Sequence, residues 1–114
     1  MLTIENLNAY GADTKTGLAR CVNNQNHYFR LIKTVPSMDA FTKLKDSILQ
    51  HDYESAFQAA HGLKGALTNL SLTPLSTPII EITEHLRGKE EIDYSSLLTL
   101  IEEKRKELEE LCQD

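Results

Sequence analysis

The chain has 114 residues, of which 40% are hydrophobic and 25% charged, and its formal net charge is −5. That length supports one core in one domain spanning 1–114 and is too short for two, and the acidic balance leaves no basic stripe for nucleic acid. No basic-then-apolar leader opens the sequence and no apolar run nears the roughly 18 residues of a membrane span, so a cytoplasmic protein with no membrane partner is expected.

Leu2 to Tyr10 reads as a short helix or an extended arm, ended by Gly11-Ala12-Asp13. Thr14 to Cys21 offers one or two helical turns. Asn23 or Asn24 supplies an N-cap for a helix bearing Tyr28, Leu31, Ile32 and Val35, which Pro36 stops. Ser37 or Asp39 caps the next, with Phe41, Leu44 and Ile48 at helical spacing up to about Gln50. One kinked helix across Pro36-Ser37 is the alternative. From Asp52 to Leu72 a helical period places Tyr53, Ala56, Phe57, Ala60, Leu63, Leu67 and Leu70 on one apolar face.

Thr73-Pro74 signals the following start, with threonine as cap and proline first in the helix. Leu75, Ile79, Ile82 and Leu86 form its stripe and Gly88 its end. Pro78 removes a backbone donor, which predicts a kink or a helix that begins only at Thr77-Pro78. Asp93 caps the last helix, where Tyr94, Leu97, Leu98, Ile101, Leu108 and Leu111 form the buried stripe. The late charges, Glu102-Glu103 and Glu107 to Glu110 among Lys104, Arg105 and Lys106, read as a solvated face. Cys21 and Cys112 make no disulfide framework and read as buried or half-buried thiols. Nothing alternates with period two. Four long amphipathic helices with short connections predict an all-α, antiparallel four-helix bundle, its N-terminal segments capping one end.

At about 100° per residue, His61 projects roughly 120° from the centre of its helix's apolar face and meets water. Gly65 and Thr68 share its stripe, and Lys64 sits at the stripe's edge. A glycine inside a helix costs up to about 1 kcal/mol relative to alanine. Gly62 and Gly65 impose that cost on either side of one exposed imidazole, which points to something large approaching it. The neutral ring has a lone pair able to attack phosphorus without a general base. Glu54 and Gln58 precede His61 on the stripe, and at most one could hold the other ring nitrogen. Lys64 brings an ammonium to the oxygens of a transferring phosphoryl group, whose charge grows in a loose transition state. A partner covering His61 would have a footprint including Gln58, Gly62, Gly65, Thr68 and Asn69.

His61-x-Leu63-Lys64-Gly65, followed by Asn69-Leu70 and a second amphipathic helix, resembles the histidine-containing phosphotransfer (HPt) domains of phosphorelays. The resemblance takes in the N-terminal helical segment, the Gly17-Leu18-Ala19-Arg20 stretch and the four later helices. Many members carry glycine where this chain has Ser71. The resemblance implies a phosphocarrier rather than an enzyme, with His61 as phosphoacceptor, Lys64 stabilising the phosphoryl group and Gly65 leaving room for the partner. It implies that partners are receiver domains of response regulators or hybrid histidine kinases, which supply the Mg²⁺, so the chain needs no cofactor or metal of its own.

Two other readings compete. One is a degenerate relative that binds receivers without carrying phosphate, against which the joint presence of His61, Lys64 and Gly65 argues. The other is a dimerisation fragment of a histidine kinase, against which the lack of a following Gly-rich ATP-binding segment argues. His51 is expected to cap or complement a helix end, and His27 and His85 to lie near polar faces. Glu81 and His85 could share a metal only with a third ligand, which the spacing does not offer. A bundle that buries its stripes needs no second copy, so a monomer is expected.

Overall fold

The computed structural model describes residues 1–113. Among the described residues seven helices follow one another: α1 Ile4–Tyr10, α2 Thr14–Arg20, α3 Gln25–Thr34, α4 Asp39–Leu49, α5 Tyr53–Asn69, α6 Thr73–Arg87 and α7 Ser95–Cys112. No strand occurs among the described residues. The first segment is thus a helix rather than an arm, and Pro36 separates two helices rather than kinking one.

Side-chain caps set most of the starts. Thr3 accepts from the Asn6 N–H at 3.0 Å, and Asn24, not Asn23, accepts from the His27 N–H at 3.1 Å. Asp52 accepts from the Ser55 N–H at 3.1 Å and so opens α5. That bond to the backbone holds the Asp52 carboxyl below the usual aspartate range. A depressed carboxyl stabilises the fold above its ordinary pKa, and the contribution is lost as pH falls through the folded value.

Three expected starts fall one residue away. α4 has Met38 at its cap position with no side-chain bond, and Asp39 is already helical, where its charge suits the positive end of the helix. α6 has Leu72 at the cap, Thr73 first and Pro74 second. Proline is tolerated there because the first turn's N–H groups have no helical partner. Pro78 lies inside α6, which runs on from Thr73 and does not wait for Thr77. Asp93 precedes the cap position of α7, held by Tyr94, yet its carboxylate still accepts from the Ser95 N–H at 2.9 Å.

Gly11, at φ 112°, and Gly88 cap the ends of α1 and α6 as expected, but two of the left-handed turns fall on residues other than glycine. At the end of α5 the Leu72 N–H donates to the Leu67 carbonyl at 3.0 Å and the Ser71 N–H to Thr68 at 3.1 Å. This pairing requires a left-handed residue, and Ser71 supplies it at φ 55°. At the end of α6 the same place falls on Lys89, φ 52°, while Gly88 has an ordinary φ of −83°. A side chain in this conformation costs about 1 kcal/mol or more. Ser71→Gly should therefore raise the stability by about 0.5–1 kcal/mol in a urea melt. Unchanged or lowered stability would contradict this reading of the turn.

α5 is the central helix, packed against α4 on one side and α6 on the other, with α7 against α6. Leu44, Leu63, Leu67, Leu72, Leu75, Ile79, Ile82, Leu86 and Leu108 meet in the core, each almost fully buried. Each such side chain contributes about 1.5–3 kcal/mol by leaving water. The α7 stripe is buried at Tyr94, Ile101 and Leu108 but only half-buried at Leu97, Leu98 and Leu111. An open groove between α4 and α7, lined by Phe41, Leu44, Leu98 and Ile101, leaves that side of α7 partly uncovered.

The N-terminal helices close the end of the bundle where α5 stops. The Asp13 N–H donates to the Ser71 carbonyl at 3.0 Å, and the buried Tyr28 hydroxyl donates to Leu70 at 2.9 Å. Burial pushes the Tyr28 phenol up to about 12. Gly17 makes room for that ring, since a Cβ on it would lie 2.6 Å from Tyr28 Cζ. Gly17→Ala must displace Tyr28 and should cost about 2–3 kcal/mol, a loss visible as a lower urea midpoint. A variant as stable as the parent would show that the ring relocates freely. Cys21 is buried and Cys112 half-buried, both as free thiols.

Candidate functional site

α5 has two faces because its apolar residues recur with helical period. Tyr53, Ala56, Ala60, Leu63, Leu67 and Leu70 are buried, while Gln58, His61, Gly62, Gly65 and Asn69 are exposed and Lys64 and Thr68 half-buried. All seven expected site residues therefore lie on one accessible stripe.

The two glycines are not required by the fold. A Cβ built on Gly62 or Gly65 meets nothing within 4 Å, in contrast to Gly17. Neither has the left-handed φ that favours glycine. The helix-weakening cost of about 1 kcal/mol at each position is thus not offset by any contact within the chain.

Phe57 packs against the core at the edge of the apolar face. It is half-buried, and its ring stacks with the His61 imidazole at a centroid distance of 5.7 Å and an interplanar angle of 19°. The Arg87 guanidinium lies 5.0 Å from the centroid of the same Phe57 ring, a cation–π distance. Stacking, not a polar partner, orients the imidazole: Glu54 instead pairs with Lys89 at 3.9 Å. Arg87 was not legible as a site residue because only the antiparallel packing of α6 on α5 brings its last turn to Phe57. The His61–Phe57 pair, in contrast, has the i, i+4 spacing of facing side chains and could have been found.

Lys64 takes part in no ion pair among the described residues. The Thr68 hydroxyl donates to the Lys64 carbonyl at 2.8 Å, so its one proton is directed back into the helix. The Thr68 carbonyl accepts from the Arg20 guanidinium of α2. No carboxylate occurs from Phe57 to Leu72, in a chain with 17 acidic residues.

The other histidines lie apart from this stripe. His51 occupies the left-handed position after α4, φ 56°, and its Nδ1 is 3.1 Å from the Tyr53 hydroxyl. Backbone N–H groups, rather than its ring, satisfy the carbonyls there. His85 Nδ1 lies 2.7 Å from Glu90, not against Glu81. Among the described residues no group of three or more His, Cys, Asp or Glu side chains is arranged to hold a metal ion. Among the described residues no helix is long and apolar enough to cross a membrane.

The family model for the Hpt domain matches residues 36–114, which includes α4 to α7 and the whole stripe and leaves α1 to α3 outside. No curated protein and no solved structure matches the chain. A central helix presenting His61, Lys64 and Gly65 within the matched segment agrees with that result, and the chain belongs to the Hpt domain family, the phosphotransfer modules of two-component signalling.

Proposed function

We propose that the protein is a phosphorelay intermediate, in which His61 accepts a phosphoryl group from the aspartyl phosphate of one receiver domain and passes it to another. The observation that carries this reading is the free space around Gly62 and Gly65 beside an exposed imidazole. The neutral ring nitrogen attacks phosphorus, the N–P bond forms as the aspartyl O–P bond breaks, and the aspartate leaves as its carboxylate. The Lys64 ammonium stabilises charge on the peripheral phosphoryl oxygens. Phe57 fixes the ring plane from below, so less rotamer freedom is lost at the moment of attack. Gln58, Thr68 and Asn69 complete the docking footprint. Mg²⁺ belongs to the receiver, a domain of a response regulator or hybrid kinase, and this chain works without a cofactor of its own.

The test uses receiver domains charged with labelled acetyl phosphate. The parent protein should take up label that is lost in acid and kept in base, as a phosphoramidate is, and His61→Gln should take up none. Labelled His61→Gln would overturn the assignment. A parent that binds receivers yet never becomes labelled would instead be an interaction module.

A further inference from the structure

The family match begins at Pro36, yet a residue before it reaches the His61 stripe. Arg20, in the last turn of α2, donates from its guanidinium to the Thr68 carbonyl near the C-terminal end of α5. A cation suits that end of a helix, where carbonyls carry partial negative charge. Arg20 is exposed, and among the described residues it enters no ion pair. A guanidinium has five N–H donors, so most remain free after the bond to Thr68. The corner beside it is also presented rather than packed away: Val22 is 87% exposed, in a left-handed conformation of φ 56°.

Two cations with no ion pair among the described residues therefore lie along the stripe of an otherwise acidic molecule, Lys64 three residues after His61 and Arg20 at Thr68, while Arg87 over Phe57 is already paired with Glu84 at 3.3 Å. Thr68 lies about 10 Å along the helix axis from His61. Arg20 is too far away to touch a phosphoryl group on the imidazole. A partner burying about 800 Å² covers a patch roughly 30 Å across, however, and would reach it. A receiver that binds Mg²⁺ must do so with carboxylates, which gives its active-site rim negative charge.

We propose that Arg20 is a docking residue for the receiver, extending the positive charge of the His61 stripe onto α2 and selecting partners by an acidic rim. This rests on the relay reading above. Arg20 contributes to encounter and affinity and leaves the chemical step to His61 and Lys64, as expected for a charge at the edge of an interface.

The experiment measures transfer rate and binding for one charged receiver across its concentration, at low salt and near 0.5 M salt. The variants are Arg20→Gln, which keeps an N–H donor for the Thr68 carbonyl, and Arg20→Glu. Arg20→Gln should raise the half-saturating receiver concentration about two- to fivefold at low salt, in line with one surface ion pair. Arg20→Glu should raise it further. The rate at saturation and the melting temperature of Arg20→Gln should match the parent, and the affinity difference should shrink at high salt as charges are screened. An unchanged half-saturation point, or a lower saturated rate at unchanged affinity, would overturn the proposal. If the parent binds receiver but accepts no phosphate, the relay reading fails, and the same binding titration still decides the role of Arg20.

Discussion

Exchanging Gly65 for glutamine should abolish transfer from a charged receiver to His61 while raising the melting temperature. The first effect follows from space: Gly65 lies one turn beyond His61, at the i+4 position directly beside the imidazole. A glutamine there fills the volume that a receiver's loop must enter, and we expect at least about a hundredfold loss, the equivalent of roughly 3 kcal/mol of barrier. The second effect follows from the absence of any atom within 4 Å of a Cβ at this position. The new side chain meets no clash, and glutamine is the better helix former by up to about 1 kcal/mol. A change of that size shifts the melting temperature of a domain this small by several degrees, about 4–8 °C per kcal/mol. Stability and transfer thus move in opposite directions, which a glycine needed for packing would not allow. Gly17 is the internal contrast, since its Cβ would meet Tyr28 and its replacement should only weaken the fold. Normal transfer by Gly65→Gln, or a lower melting temperature, would remove the steric account of this glycine.

Lys64→Ala should slow transfer by one to two powers of ten at saturating receiver and change the half-saturation point much less. The ammonium stands on the stripe next to His61, half-buried and uncommitted to any carboxylate among the described residues. Its interaction grows as charge spreads onto the phosphoryl oxygens, so it acts on the transition state more than on the docked complex. The expected loss, about 1.4–2.7 kcal/mol, fits one charge-assisted contact at a partly exposed site. Rapid-quench measurement of single-turnover transfer separates the two effects. A variant with unchanged saturated rate would make Lys64 an ordinary surface lysine. Lys64 and Arg20 should therefore split cleanly, one in rate and the other in affinity.

The His61 stripe was legible because α5 is long and strongly periodic, so six buried positions fix the direction of every other side chain on it. Glycine at two exposed helical positions is a local signal and needed no tertiary information. Phe57 packs against the core at the border of the apolar face, and a helical wheel does not show that its ring also turns beneath the imidazole. Arg87 and Arg20 come to the stripe only through packing, from α6 and from α2, and sequence spacing contains no trace of either approach. Helix ends shifted for a related reason. Thr73-Pro74 and Asp93 do mark starts, but the backbone places the cap one residue before the threonine and one after the aspartate. The half-burial of Leu98 depends on the groove between α4 and α7 and that of Leu111 on a cleft beside α1, properties of how helices meet rather than of any one helix.

The central claim is that the imidazole of His61 both receives and gives up a phosphoryl group. Its most direct test is a ³¹P NMR chase on protein phosphorylated by one charged receiver, freed of that receiver, and then mixed with a second, uncharged one. We predict a single phosphohistidine resonance, absent from His61→Gln, that decays on addition of the second receiver as phosphate appears on the receiver's aspartate. Phosphate on any other residue, or a phosphohistidine that no receiver can discharge, would contradict it.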